Sequence, residues 1–254
     1  MNFKTFLTEQ FYNQTLHPRF WNDDHEMDEV VRKKLLDIAT GFAEEVGVEE
    51  YIEDVQLTGS LANFNYTKFS DLDVHILLPF KEINKDKDLV KQALDGRRWV
   101  WNERHNIIIR DHEVELYFQD AKEPHVASGL FSLLNNEWIV EPSFDPPQVD
   151  EADVISKAKQ IENDIKILKN KLKDTKGNPE AAANLQKVAD TLRGRITKMR
   201  QDSLEKDGEF GIGNLAFKQL RNTNAIGDLI KLSNKSFDNI YSEQKKFKDY
   251  MEEY

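Results

Sequence analysis

Hydrophobic and polar residues follow two different periods along this chain of 254 residues. Up to residue 147, apolar and polar residues alternate in several short segments, which is typical of strands that bury one face. Longer segments with helical spacing of apolar residues separate them. From residue 148 onward, apolar residues recur three and four positions apart, which predicts helices. The proline-rich stretch 141–147 is typical of a linker. We therefore predict an α+β domain over residues 1–147 and an antiparallel helical bundle over residues 148–254.

The same repeats predict the individual elements. Apolar residues at helical spacing, with an acidic first turn and Gly47 at the end, predict a helix over residues 23–46. Residues 81–88 are predicted to form an exposed turn. The other predicted strands are one that starts at Val55 and ends in Thr58-Gly59-Ser60, and strands over 70–78, 106–109 and 112–119. A hairpin is predicted over 127–140, and helices over 88–102, 154–174, 180–204, 211–220 and after Ala225.

The amino-acid composition indicates the compartment and the absence of a membrane span, but not the reaction. The chain has no cysteine, so it has neither disulfides nor thiolate metal sites, which fits a reducing compartment. No apolar run approaches the roughly 20 residues that cross a bilayer, and no secretory signal peptide is recognisable. We therefore predict a soluble protein with no membrane partner.

Charge is distributed unevenly between the two halves. The whole chain carries a net charge of −11, and residues 148–254 hold 20 basic and 18 acidic side chains. Residues 1–147 therefore hold 15 basic and 28 acidic side chains, a net charge of −13. Such a domain would repel a nucleic-acid polymer, which favours a small molecule or a protein as its partner.

The stretch Val55–Leu78 combines residue types that point to phosphate chemistry. Gly59 lets the backbone approach a ligand closely, and Ser60 can begin a helix whose N–H groups favour phosphate. Further along, strand alternation directs Asp71 and Asp73 to one face. Neighbouring carboxylates repel each other unless a cation lies between them, and oxygen ligands of this kind suit Mg²⁺. A phosphate-binding turn at Gly59 and Ser60, followed by the carboxylate pair of Asp71 and Asp73, predicts phosphoryl or nucleotidyl transfer.

These residues resemble the signature of the DNA polymerase β-type nucleotidyltransferase superfamily, which is an apolar residue, Gly-Ser, a spacer and Asp-x-Asp. The matching positions are Leu57, Gly59-Ser60 and Asp71-Leu72-Asp73, with Ser70 as the serine that often precedes the first aspartate. The resemblance implies a small mixed β-sheet domain flanked by helices and followed by the helical bundle. The alternative interpretation is a strand–loop–strand with exposed acidic residues.

The superfamily takes its third metal ligand from an apolar–acid–apolar strand that follows the Asp-x-Asp hairpin. Val114-Glu115-Leu116 matches this pattern, so the resemblance implies that Glu115 joins the two aspartates. Glu113 lies on the same strand face and is the reserve candidate. If its strand is regular, His75 lies on the same face as the two aspartates. Its role there is either to assist the acceptor or to pack within the strand.

Basic residues in both halves are candidates for substrate contacts. Superfamily members often hold the triphosphate with a lysine or arginine of the helical domain, which points to Lys218 and Arg221, on one helix face with Asn214. A solvated bundle face is the alternative. A basic cluster in the first half is either a triphosphate or acceptor contact or a solvated helix face; it comprises Lys91, Arg97, Arg98 and Arg104.

The resemblance implies a metal-dependent nucleotidyltransferase. Such an enzyme moves a nucleoside monophosphate from a nucleoside triphosphate such as ATP to a hydroxyl of a small molecule, a protein or an RNA end, and releases pyrophosphate. Asp71, Asp73 and Glu115 are expected to bind Mg²⁺ or Mn²⁺, and Gly59 and Ser60 to hold the β- and γ-phosphates. The alternatives are kinase-like transfer on the same fold, and a non-catalytic phage head protein or binding module that keeps the fold.

Residues 1–10, MNFKTFLTEQ, carry a second resemblance. They are amphipathic and aromatic, and are similar to the capsid-targeting prosegments of internal proteins in large tailed phages. Leu7-Thr8-Glu9 matches the end of such a prosegment, so residues 1–9 are expected to be removed by cleavage after Glu9. The resemblance implies a phage protein of the host cytoplasm that is packaged in the virion. A docking helix or a frayed terminus is the alternative.

Overall fold

The computed structural model describes residues 13–124, 127–144 and 149–242, and the segment 1–9 that resembles a prosegment lies outside them. The chain divides into two units, Met1–Pro146 and Pro147–Tyr254. The described residues form a six-stranded mixed sheet and seven α-helices, and 58% of the structure is helical. The predicted α+β class is therefore confirmed. None of the helices within the described ranges is long and apolar enough to cross a membrane.

The strands of the first unit form one sheet. They are β1 (Asp54–Thr58), β2 (Leu72–Leu78), β3 (Ile108–Ile109), β4 (His112–Asp120), β5 (Leu130–Ser132) and β6 (Glu137–Val140). Their order across the sheet is β3-β4-β2-β1-β5-β6. β1 pairs antiparallel with both β2 and β5, whereas β2 and β4 run parallel. The parallel pair consists of the two strands that carry the candidate carboxylates.

Helix α1 (Glu29–Val46) begins later than predicted. Asp28 caps it by accepting hydrogen bonds from two backbone N–H groups of its first turn. The preceding residues form turns instead, because the backbone of His25 is left-handed, with a φ of 60°, and the Asn22 side-chain oxygen accepts two backbone N–H bonds. The helix ends at Gly47 as predicted, where φ is 78°.

Helices α2 (Phe80–Ile83) and α3 (Lys87–Arg104) supply the crossover that a parallel pair of strands requires. The predicted turn over residues 81–88 is wrong at its start, since Phe80 is buried and the residues after it close into α2. Asp86 caps α3 by accepting a hydrogen bond from the N–H of Leu89.

Helices α1 and α3 cover the apolar face of the sheet. Phe42 of α1 stacks on Phe118 of β4, with ring centroids 4.7 Å apart, and lies 4.8 Å from the Trp101 ring of α3. Every second residue of β2 is buried, as the alternation predicts: Leu72, Val74, Ile76 and Leu78. The residues between them lie on the opposite side, here called the polar face, which carries Asp73, His75, Glu115 and Tyr117.

The described part of the second unit contains four helices, as the sequence predicts. They are α4 (Glu151–Lys171), α5 (Pro179–Asp207), α6 (Ile212–Asn222) and α7 (Ala225–Tyr241). Helix α5 packs against α6 and α7, and α4 packs against α6. Asn178 caps α5, and Pro179 occupies its first turn, where the missing N–H costs nothing.

A cluster of rings surrounds His17 in the first unit. The His17 ring lies 5.1 Å from Phe20, 4.6 Å from Tyr66 and 5.0 Å from His112, measured between centroids. Burial, followed by the nearby charges of His112 and Arg19, lowers the pKa of His17 to about 4. His17 is therefore neutral in the folded protein at neutral pH.

Acidification is expected to destabilise the protein through His17. The unfolded histidine takes up its proton near pH 6.5 and the folded one near pH 4, so the unfolded state binds more protons between these values. The free energy of unfolding should fall as the pH drops through this window, by up to about 1 kcal/mol per pH unit. Urea unfolding at several pH values should show a shallower fall for His17→Phe. An identical pH dependence in the two proteins would contradict the prediction.

Candidate active site

The end of β1 brings Gly59 against a candidate carboxylate. Thr58, the last residue of β1, pairs with Asp73 in the antiparallel register. Gly59 follows with a φ of 77° and a ψ of −160°, a backbone conformation that is essentially restricted to glycine. A β-carbon at this position would overlap Asp73 Oδ2. The chain therefore needs glycine here both for its backbone and for the space that the Asp73 carboxylate occupies.

Ser60 begins a single 3-10 turn, Ser60–Ala62, instead of an extended helix. The turn ends because the backbone of Asn63 is fully extended, with a φ of −151°. Ser60 Oγ forms a hydrogen bond of 2.7 Å with Ser70 Oγ. Since Ser70 immediately precedes Asp71, this bond joins the Gly-Ser turn to the start of the Asp-x-Asp pair.

His112 fixes the same loop from β4, a role that nothing in its sequence context signals. The side chain is 4% exposed, and Nδ1 lies 2.6 Å from the carbonyl oxygen of Ser70. A carbonyl oxygen only accepts, so His112 Nδ1 carries the proton and donates. Ser70 Oγ also accepts a hydrogen bond of 2.9 Å from the N–H of Thr67. Ser70, which leads into Asp71, is therefore held through both its backbone carbonyl and its side-chain hydroxyl.

The parallel register of β2 and β4 sets Asp73 directly opposite Glu115. Asp71 lies immediately before β2, and Glu113 lies two residues before Glu115 on the same strand face. Desolvation, and then the negative charges of Asp71 and Glu115, raise the pKa of Glu113. Glu115, rather than the reserve candidate Glu113, is the strand partner of Asp73. The first unit thus gathers five of the predicted site residues: Gly59, Ser60, Asp71, Asp73 and Glu115.

Tyr117 engages Glu115 on the polar face. Its hydroxyl donates a hydrogen bond to Glu115 Oε2. Burial, and then the charges of Glu115 and Asp73, raise the pKa of Tyr117 far above its usual range, so the hydroxyl keeps its proton. The sequence places Tyr117 on this face beside Glu115, and the two-residue spacing is the signal that could have identified the contact.

Two further side chains contact the Tyr117 ring. His75 stacks on it, with centroids 5.0 Å apart and planes inclined by 26°, and the Arg98 guanidinium lies 4.8 Å from the ring centroid. His75 Nδ1 lies 2.8 Å from Gln119 Oε1, an acceptor, so Nδ1 carries the proton. His75 therefore shares the face of the aspartates as predicted, and its neighbour there is an aromatic ring.

The basic cluster of α3 is only partly directed at the site. Arg98 reaches Tyr117, whereas Lys91 Nζ lies 3.8 Å from Asp95 along the helix. Asp95 also lies 3.9 Å from Arg98 Nε. At these separations the pairs on the helix surface contribute little to stability. Arg98 is therefore the member of the cluster that the structure connects to the carboxylates.

Lys218 and Arg221, the predicted triphosphate contacts, lie on α6 in the second unit. Lys218 is partly buried and Arg221 is exposed. Asn214, on the same helix face by spacing, is 2% exposed, and its Nδ2 donates to the carbonyl oxygen of Glu209 at 2.6 Å. Asn214 therefore holds the backbone just before its own helix.

The donor set of the polar face has the chemistry of a divalent-cation site. Carboxylate oxygens are hard ligands that suit Mg²⁺ or Mn²⁺. The pKa of Glu113 is raised first by desolvation and then by the charges of Asp71 and Glu115, and a cation would relieve the second of these effects. Within the described ranges, no group of three histidine or acidic side chains is arranged to hold an ion. The residues present thus fit a cation by the type of their donor atoms and by the cross-strand pair of Asp73 and Glu115, and not by a three-ligand arrangement within the described ranges.

Comparisons with known proteins leave the family of this chain open. No family model, no curated protein and no solved structure matches it. A function is therefore inferred from the residues and from their geometry in the first unit.

Proposed function

We propose that this protein is a metal-dependent nucleotidyltransferase, which transfers a nucleoside monophosphate from a nucleoside triphosphate to an acceptor hydroxyl. The observation that carries the proposal is the parallel register that sets Asp73 opposite Glu115. Asp71 and Gly59 lie at the same end of these strands, so the acidic residues and the glycine turn of the superfamily signature are neighbours there. A binding module would have little need of such neighbouring carboxylates, which favours an enzyme.

Asp71, Asp73 and Glu115 are the residues that would hold Mg²⁺ or Mn²⁺. The bound metal supplies positive charge that neutralises the phosphates and favours ionisation of the acceptor hydroxyl. Glu115 has one oxygen, Oε2, engaged by the Tyr117 hydroxyl, which leaves Oε1 for other partners.

The role of the protein in the transfer is mainly to position the reactants. The acceptor hydroxyl releases its proton to solvent, and its oxygen forms a bond to the α-phosphorus. The bond from that phosphorus to the bridging oxygen breaks, and pyrophosphate leaves with the electron pair. The backbone N–H groups of the turn at Gly59 and Ser60 would hold the β- and γ-phosphates, and Ser70 and His112 keep that turn beside Asp71. Preorganised charge around the phosphates would supply most of the rate enhancement.

The charge of the first half favours a small-molecule or protein acceptor over a nucleic acid. Residues 1–147 carry a net charge of −13, which opposes the approach of a polyanion to the domain that holds the carboxylates. A single nucleoside triphosphate is less affected, because a bound divalent cation offsets the local charge.

Lys218 and Arg221 would contact the triphosphate if this chain follows the superfamily that its signature resembles. We expect Lys218→Ala to raise the KM for the triphosphate by about tenfold or more, since hydrogen bonds to charged groups contribute about 1.5–3 kcal/mol. The value of kcat should change less, because the contact is present before and during transfer. Lys231→Ala, an exposed lysine of α7, is the matched control. An unchanged KM in Lys218→Ala would remove this residue from the site.

Incubation with radiolabelled nucleoside triphosphates tests the proposed function. The purified protein, Mg²⁺ or Mn²⁺ and a cell lysate are mixed with each triphosphate in turn, labelled at the α-phosphorus. Label should appear in a new product, and its sensitivity to protease or ribonuclease identifies the acceptor as protein, RNA or small molecule. No labelled product with any triphosphate would instead favour a non-catalytic role.

A further inference from the structure

The Glu115 carboxylate is held by a neighbour from its own strand. Tyr117 lies two residues further along β4, on the same face, and its hydroxyl donates to Glu115 Oε2. A carboxylate on an open strand face can otherwise adopt several rotamers. The hydrogen bond therefore restricts the orientation of Glu115 relative to Asp73 on the adjacent strand.

The donor is itself restrained by two contacts. The Tyr117 ring stacks on His75, which is its direct partner in the parallel register, and the Arg98 guanidinium lies 4.8 Å from the ring centroid. His75 is in turn hydrogen-bonded to Gln119 at 2.8 Å. These groups, here called the Tyr117 cluster, are His75, Arg98, Tyr117 and Gln119. Through this cluster, Arg98 of α3 and His75 of β2 both contact the ring whose hydroxyl bonds Glu115.

We propose that Tyr117 is a positioning residue that holds Glu115 in the orientation required for divalent-metal binding, with Arg98 fixing the Tyr117 ring. The inference rests on the proposed function, because it takes Glu115 as a ligand. The Tyr117 hydroxyl donates to Glu115 Oε2, so the proposed role of Tyr117 is exerted through that carboxylate. Tyr117 acts on Glu115 in the way that a hydrogen-bonded partner orients a ligand in known metal sites, where losing the partner costs about 10–100-fold in metal affinity or activity.

Tyr117→Phe is the variant that tests this role, because it keeps the ring and removes only the hydroxyl. Mn²⁺ binding to the metal-free protein is measured from the electron paramagnetic resonance signal of the free ion, without any substrate. We expect the variant to bind Mn²⁺ about tenfold or more weakly. In turnover, kcat should fall by a similar factor while the KM for the triphosphate changes little. Tyr51→Phe, which removes a tyrosine hydroxyl before β1, should leave both values unchanged.

Arg98→Ala provides a second variant with a graded outcome. It leaves the Tyr117 hydroxyl in place but removes the cation beside its ring, so Mn²⁺ affinity should fall by less than in Tyr117→Phe. Unchanged or tighter Mn²⁺ binding in Tyr117→Phe would overturn the inference, since it would mean that the hydroxyl is dispensable or competes with the metal for Glu115.

Asp73→Asn separates the failure of this inference from the failure of the proposed function. If Asp73→Asn weakens Mn²⁺ binding and Tyr117→Phe does not, the metal site stands and the role of Tyr117 is wrong. If Asp73→Asn and wild type bind Mn²⁺ equally, the carboxylates are not a metal site. In that case the proposed function and the inference both fail.

Discussion

Asp73→Asn is expected to lower the rate of nucleotide transfer by about a thousandfold or more while leaving the fold intact. Asp73 lies opposite Glu115 and against Gly59, so it is the carboxylate shared by both parts of the site. An amide binds a divalent cation far less well than a carboxylate does. A loss of about 4 kcal/mol of charge stabilisation in the transition state corresponds to about a thousandfold in rate.

The same substitution should not destabilise the metal-free protein. It removes the negative charge opposite Glu115 in the parallel register, and neighbouring carboxylates repel each other when no cation lies between them. The midpoint of thermal unfolding in the presence of a chelator should therefore be unchanged or higher. Asp37→Asn, on the exposed surface of α1, is the matched control and should retain full activity. Wild-type activity in Asp73→Asn with Mg²⁺ would refute the role of this carboxylate.

Gly59→Ala is expected to lower activity by about a hundredfold and the free energy of unfolding by about 1–3 kcal/mol. The energetic cost arises because the backbone at Gly59 has a φ of 77° and a ψ of −160°, which an alanine reaches only with strain. The loss of activity arises because the new methyl group would overlap Asp73 Oδ2 and displace that side chain. A displacement of about 1 Å in a catalytic group can cost about a hundredfold in rate.

Gly47→Ala is the control that separates these two effects. Gly47 ends α1 with a φ of 78°, and a β-carbon there would have no neighbour within 4 Å. Alanine at position 47 should therefore also destabilise the protein, by about 1 kcal/mol, but leave transfer unchanged. Activity assays at a temperature well below both unfolding midpoints decide the matter. Equal activities in the two variants would show that the space beside Asp73 is not required.

The parts of the fold that the sequence predicts well depend on short-range patterns. β2 alternates apolar and polar residues, and its buried residues are those that the alternation assigns to the core. The four helices of the second unit follow the same logic, because their buried residues recur at helical spacing. The start of α1 was missed because a left-handed residue, His25, interrupts an acidic stretch that otherwise suits a helix.

The details of the candidate site depend on long-range contacts that no local pattern encodes. Asp73 and Glu115 are far apart in the chain, and their register is set by the packing of the buried residues of two strands against α1 and α3. Whether Glu113 or Glu115 lies opposite Asp73 therefore could not be read from the spacing of either strand. The contact of Arg98 with Tyr117 has the same origin, since it depends on where α3 crosses β4.

The most direct test of the central claim compares two positions of the label in the same triphosphate. Wild-type protein and Asp73→Asn are incubated with Mg²⁺ and an acceptor, with the label either at the α- or at the γ-phosphorus. A nucleotidyltransferase leaves the α-label on the acceptor and the γ-label in pyrophosphate. Neither labelled product should form with Asp73→Asn. A γ-label on the acceptor would mean phosphoryl transfer, and no transfer of either label would mean that the carboxylates of the polar face do not form this active site.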